Sequence, residues 1–135
     1  MGLLVEKALP SEIDPSQVTI TRFDDYFHVQ FKAELFESAM VKRVLENLSQ
    51  KRMPGLRRIL CEDCAHHWNL TTGGIISLIE SLRYDDIFDW RIAWVSGKAS
   101  HLDDLRFAEN AGVNRGYDMK AFSETPMALS WLLQN

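Results

Sequence analysis

Three short strand-like runs, Leu56–Cys61, Arg91–Val95 and Tyr117–Phe122, are separated by stretches whose apolar residues recur at the helical period. This spacing limits the fold more than any other feature of the chain. Strands joined through a helix cannot form a hairpin, so they run parallel with right-handed crossovers. From Glu34 to about Lys51, Val41, Val44, Leu45 and Leu48 make a stripe opposite Lys42, Arg43, Glu46 and Asn47, and Met53-Pro54-Gly55 stops the helix. From Thr72 to Arg83, Ile75, Leu78, Ile79 and Leu82 face inward behind Thr71 or Thr72 as N-cap. Ser100 with Asp103 resembles a capping box for a third helix, which carries Leu102, Leu105 and Ala108 inward and closes at Gly112. Ser123 or Thr125 caps a terminal helix with Pro126 in its first turn and Ala128, Leu129 and Leu132 on its buried side.

Ahead of these units, Val18–Phe23 and Tyr26–Lys32 alternate apolar with polar residues around an Asp24-Asp25 turn, which predicts a β-hairpin. Its second strand puts Phe27, Val29 and Phe31 on a core face and His28, Gln30 and Lys32 on a wetter one. The predicted order is β-β-α-β-α-β-α-β-α: an α/β fold whose mixed sheet has an antiparallel N-terminal hairpin and helices packed on it. Residues 1–16, with Pro10 and Pro15, read as an N-terminal arm in which Leu3-Leu4-Val5 offers an edge strand, and 17–135 as a single domain. At 135 residues, 46% of them apolar, the chain holds enough material for one core.

Charge removes some functions. Fifteen basic against 19 acidic residues leave a net charge of -4, with no basic field for a nucleic-acid backbone. No apolar run reaches bilayer-spanning length and Met1–Pro10 lacks the basic start of a signal peptide, so a cytoplasmic protein is expected. Glu6 stands where myristoylation of Gly2 needs Ser or Thr.

Candidate chemistry concentrates between Leu56 and Leu82. Cys61-Glu62-Asp63-Cys64 has the spacing of a redox pair, but two carboxylates between the thiols disfavour thiolate, and the next helix starts about ten residues too late to help. Adding His66 and His67 gives a possible zinc set, although a structural site normally draws its second ligand pair from a distant segment, and only His28 and His101 remain. Ser96-Gly97-Lys98 lacks the first glycine of a phosphate loop, and its Lys has no adjacent Ser or Thr. Asp85, Asp86 and Asp89 read as a solvated loop anchored by Ile87, Phe88 and Trp90, while Trp68, Trp90 and Trp131 are the aromatics most available for a pocket or partner surface.

The phrases LRRILCED before a Trp-containing loop, DWRIAWVSG, and MKAFSETPMALSWL, in this order of elements, resemble the SpoIIAA-like branch of the STAS superfamily from about Val18 to the C-terminus. The resemblance implies a STAS-like domain over 17–135 and a non-catalytic binding or regulatory role without a cofactor. The expected partner is a protein, in the manner of anti-sigma-factor antagonists, or alternatively an apolar small molecule or lipid, since related folds bind such ligands. In the antagonists an Asp-Ser-Ser-Gly phrase is phosphorylated. Here Leu70-Thr71-Thr72-Gly73 takes that place, which puts Thr71 at the phosphorylated position with Thr72 beside it, although no Asp precedes the pair. The expected binding surface comprises Asp63, Trp68, Asn69, Thr71, Thr72, Gly73, Gly74, Gly97 and Lys98. A thiol or zinc protein through Cys61, Cys64, His66 and His67 is the third reading, and a homodimer is the first assembly to consider.

Overall fold

The computed structural model describes residues 16–49, 56–68, 70–82 and 89–134. Along the chain these form β1 (Val18–Arg22), β2 (Phe27–Phe31), β3 (Leu35–Phe36), α1 (Ser38–Ser49), β4 (Arg58–Asp63), β5 (His67–Trp68), α2 (Thr72–Leu82), β6 (Arg91–Val95), α3 (Ala99–Val113), β7 (Asp118–Phe122) and α4 (Thr125–Leu132). The hairpin alternates as its pleat requires: Val18, Ile20, Phe27, Val29 and Phe31 are buried, and His28 and Gln30 stand half-exposed on the other face. β1 pairs antiparallel with β2, and β2, β4, β6 and β7 follow in parallel, in the order β1-β2-β4-β6-β7. This is the α/β architecture expected from the spacing of the apolar runs.

Because the parallel strands are added in one direction, right-handed crossovers put α1, α2 and α3 on one face. Val44, Leu48, Ile79 and Leu105 from these helices bury Val29, Ile59, Ile92 and Trp94 of the sheet. After β7 the chain turns to the opposite face, where Ala128 and Leu132 of α4 cover Leu60, Ala93, Val95 and Phe122. Two arginines hold α4 there. Arg91 donates to the Trp131 and Gln134 carbonyls at 3.2 and 2.8 Å and pairs with Asp118 at 3.0 Å, while Arg58 reaches the Gln134 carbonyl at 3.2 Å. Both carbonyls lie at the C-terminal end of α4, where positive charge is favoured. Arg91→Ala is expected to cost about 1–2 kcal/mol, read as a lower urea midpoint with an unchanged slope.

Several boundaries differ from the sequence reading. The first helix starts at Ser38 rather than Glu34, because Leu35 and Phe36 pair in parallel with His67 and Trp68. This two-stranded sheet is stabilised by the Phe36 and Trp68 rings, which stack at 4.6 Å. Ser100 and Asp103 form no capping box: the third helix begins at Ala99, after Lys98, and has no side-chain cap. Its closure is displaced as well. Gly112 lies inside α3, where a methyl group would collide with the Met119 thioether, and Gly116 supplies the positive φ of 95° beyond the helix end. Neither Ser123 nor Thr125 caps α4, whose N-cap is Glu124, although Pro126 does fall in the first turn. The fourth strand ends at Asp63 rather than Cys61, and the last begins at Asp118 rather than Tyr117. The arm with Leu3-Leu4-Val5, the Met53-Pro54-Gly55 stop and Tyr84–Phe88 lie outside the described residues.

Candidate functional site

Extending β4 to Asp63 places that carboxylate at the C-terminal tip of a central strand, next to the tip of β6. Its side chain is only 2% exposed. A carboxylate buried to that degree needs donors, and three converge on it. Oδ1 accepts the Ala65 N–H at 3.0 Å; Oδ2 accepts the Ser96 hydroxyl at 2.8 Å and the His101 Nδ1–H at 2.7 Å. Since His101 lies in the first turn of α3, the negative charge also sits at the favourable end of that helix. The network therefore ties β4, β6, α3 and the loop after β4 to one anion.

Lys98 completes the join. Its Nζ donates to the Ala65 and His66 carbonyls at 2.7 and 3.2 Å, and its backbone N–H donates to Ser96 Oγ at 3.2 Å. Neither Lys98 nor Asp63 thus presents an uncommitted charge. The Ser96 and His101 arrangement also lacks the geometry of an activated nucleophile, because both donate to the same carboxylate oxygen instead of the hydroxyl donating to imidazole.

A run of rings connects this network to the core. Trp94 stacks on Phe31 at 6.2 Å, Phe31 meets Phe36 edge-on at 5.1 Å, and Phe36 stacks on Trp68 at 4.6 Å. Trp68 in turn lies on His101 at 4.6 Å. The two stacks around Trp68 contribute about 1–3 kcal/mol together. Against this, the Trp68 Nε1–H is buried with no acceptor among the described residues, which costs about 1–3 kcal/mol. The indole is held by a near-balance. Trp90, by contrast, is 3% exposed and packs on Phe27, and Trp131 lies half-buried beneath Arg91, so Trp68 alone of these three belongs to the site.

Behind Trp68, between the sheet and α1–α3, is a cavity of about 50 Å³ with apolar walls. Trp94, Ile79 and Leu105 are among its buried walls, and Trp68, Leu70, Leu78 and Ala108 are its half-exposed ones. On the surface, Thr71 caps α2 through Oγ1, which accepts the Gly74 N–H at 3.0 Å. Thr71, Thr72 and Gly73 are exposed, and Gly74 borders a cleft of about 270 Å³ that runs along α2 past Ser77 and meets Ser38 and Lys42 of α1. Gly97 is exposed across the strand tips. Asn69 lies outside the described residues.

The two cysteines separate. Cys61 is buried in the core and Cys64 is exposed. Burial pushes the Cys61 thiol far up; at Cys64 partial desolvation and then the Glu62 and Asp63 carboxylates raise it against the pull of Lys32. His67 reaches Glu34 at 3.8 Å, and no group of three His, Cys, Asp or Glu able to hold a metal occurs among the described residues. In the folded protein, Cys64 is expected to react with a disulfide reagent more slowly at pH 7 than an unstructured cysteine, and Cys61 only on unfolding. The Cys61 shift has a further sign. Above the ordinary thiol value of 9.0 the unfolded chain releases this proton while the folded one keeps it, so stability falls as pH rises past that point.

Phe36 was not a candidate in the sequence reading, and Ser96 and His101 entered it only as a strand-end residue beside Gly97-Lys98 and as a distant imidazole for a zinc set. His101 did carry a signal, since it lies one helical turn before the inward-facing Leu105. No protein-family model matches the chain, and no curated protein matches it significantly.

Proposed function

We propose that the protein is a non-catalytic, STAS-like binding module that meets a protein partner at the start of α2. The observation that carries this reading is the distribution of polar groups at the strand tips. Asp63, Ser96, Lys98 and His101 are spent on one another and on loop carbonyls, which makes a fixed platform. What the start of α2 presents is small and accessible: Thr71, Thr72 and Gly73, with Gly74 bordering the cleft lined by Ser38, Lys42 and Ser77. Such a ledge suits contact with a partner's backbone and short side chains. A phosphate added at Thr71 or Thr72 would sit at the positive end of α2 and act by changing the partner's contact rather than by unfolding the helix.

The apolar cavity favours a second reading, a sensor or carrier of an apolar molecule. Its size weighs against the resting state being ready: about 50 Å³ is free, whereas small-molecule sites usually measure about 300–1,000 Å³. Native mass spectrometry of protein isolated from its own cells separates the two readings. A stoichiometric protein adduct supports the first and a bound apolar molecule the second; an unadorned, unmodified chain counts against both.

Among the described residues no helix is long and apolar enough to cross a membrane.

A further inference from the structure

We propose that Trp68 is a displaceable lid, and that the slot it fills between Phe36 and His101 takes a planar apolar ring. The inference rests on the apolar-ligand reading and supplies what that reading lacks, which is room.

Three observations carry it. First, the Trp68 indole lies between two nearly parallel faces, at 13° to Phe36 and 28° to His101, both at 4.6 Å. A gap of that form accepts one flat ring. Second, Trp68 is a half-exposed wall of the cavity, its Nε1–H has no acceptor among the described residues, and the strand that carries it is two residues long. Moving outward would return that N–H to water. Third, the faces on either side remain when the indole leaves. Asp63 holds His101 through Nδ1 at 2.7 Å, and Phe36, 1% exposed, is braced by Phe31.

Volume decides whether such an exchange is useful. An apolar void of about 150 Å³ is enough for benzene. The cavity alone, at about 50 Å³, is too small, but an indole is itself larger than benzene, so the space it vacates admits a flat ring. The ligand class is therefore a compact planar hydrocarbon or heteroaromatic ring, seated where the indole was and backed by Trp94 and Leu105. Only a minor, open population binds, so the affinity of the intact protein is reduced by the fraction that is open.

Naphthalene is the probe, and binding is measured by equilibrium dialysis on the full chain and on Trp68→Ala. The Trp68 resonance of the fluorotryptophan-labelled protein, assigned with Trp68→Phe, reports the indole itself. The expected result is binding about tenfold tighter, or more, in Trp68→Ala, as removal of a lid closed about 90% of the time requires. In the intact protein, naphthalene should shift the Trp68 signal to that of a solvated indole. Equal or weaker binding by the variant, or an unmoved Trp68 signal with naphthalene bound, overturns the lid and leaves the apolar-ligand reading standing. Absence of binding to both proteins overturns both ideas. Trp68→Leu serves for the dialysis if Trp68→Ala does not fold, with a tightening again expected.

Discussion

Asp63→Ala is expected to destabilise the fold by about 3–5 kcal/mol, a large effect for a polar residue at the tip of a strand. The loss is not one hydrogen bond. Ser96 Oγ, His101 Nδ1 and the Ala65 N–H all aim at this carboxylate, and each is left facing a methyl group. A buried donor without an acceptor costs about 1–3 kcal/mol, although water entering the vacated space will offset part of the total. Urea denaturation should show a much lower midpoint. Coupling gives the sharper signature: His101→Ala in the Asp63→Ala background should cost less than His101→Ala alone, by about 0.5–3 kcal/mol, because the partner has already gone. Additive losses would mean that the Asp63–His101 contact carries little of the energy.

Phe31→Ala should be comparably damaging, at about 3–5 kcal/mol. Phe31 is fully buried, and its ring meets both Trp94 and Phe36. Its backbone also pairs with the tip of β4, since Phe31 stands opposite Asp63 and its carbonyl accepts the Cys64 N–H at 2.8 Å. Truncation removes the transfer energy of the ring and leaves a void beside Phe36, so the Phe36–Trp68–His101 stack loses its support. The two variants therefore differ in how the damage is seen. In Phe31→Ala the near-ultraviolet tryptophan signal should weaken under conditions where the chain is still folded. Leu132→Ala, which opens a gap under α4 on the other face beside Trp131, should lower stability while leaving the Phe36–Trp68–His101 stack in place.

These two residues also show how far sequence reasoning reaches. Phe31 was legible: alternation in Tyr26–Lys32 assigns it to the core face, and burial on that face follows from pleating alone. The crossover units were legible for the same reason, because a period of two or of 3.6 is local information. Asp63 was assigned to the contact surface by its place at a strand end, not to the centre of a buried network. Its importance comes from Ser96 and His101, 33 and 38 residues away, and nothing local specifies that their hydroxyl and imidazole meet one carboxylate oxygen. The same limit hid β3 and β5, which are two residues each and are held by the packing of Phe36 on Trp68 rather than by propensity. The start of α3 was misread for a related reason. Ser100 satisfies a capping pattern, but the Ser96 hydroxyl takes the Lys98 N–H and helix α3 begins earlier.

The exposed start of α2, Thr71 to Gly73, by contrast, was readable, since a hydroxyl before a helical period predicts such a start.

That surface can be tested directly. A photo-crosslinking residue placed at Thr72 and, separately, at the exposed Met127 of α4 compares the proposed contact region with a face remote from it in the fold. The account predicts one discrete protein adduct in the protein's own cells from Thr72, none from Met127, and loss of the Thr72 adduct when Gly73→Arg blocks the ledge without lowering the urea midpoint. Adducts from Met127 alone, or a Thr72 adduct indifferent to Gly73→Arg, would contradict it.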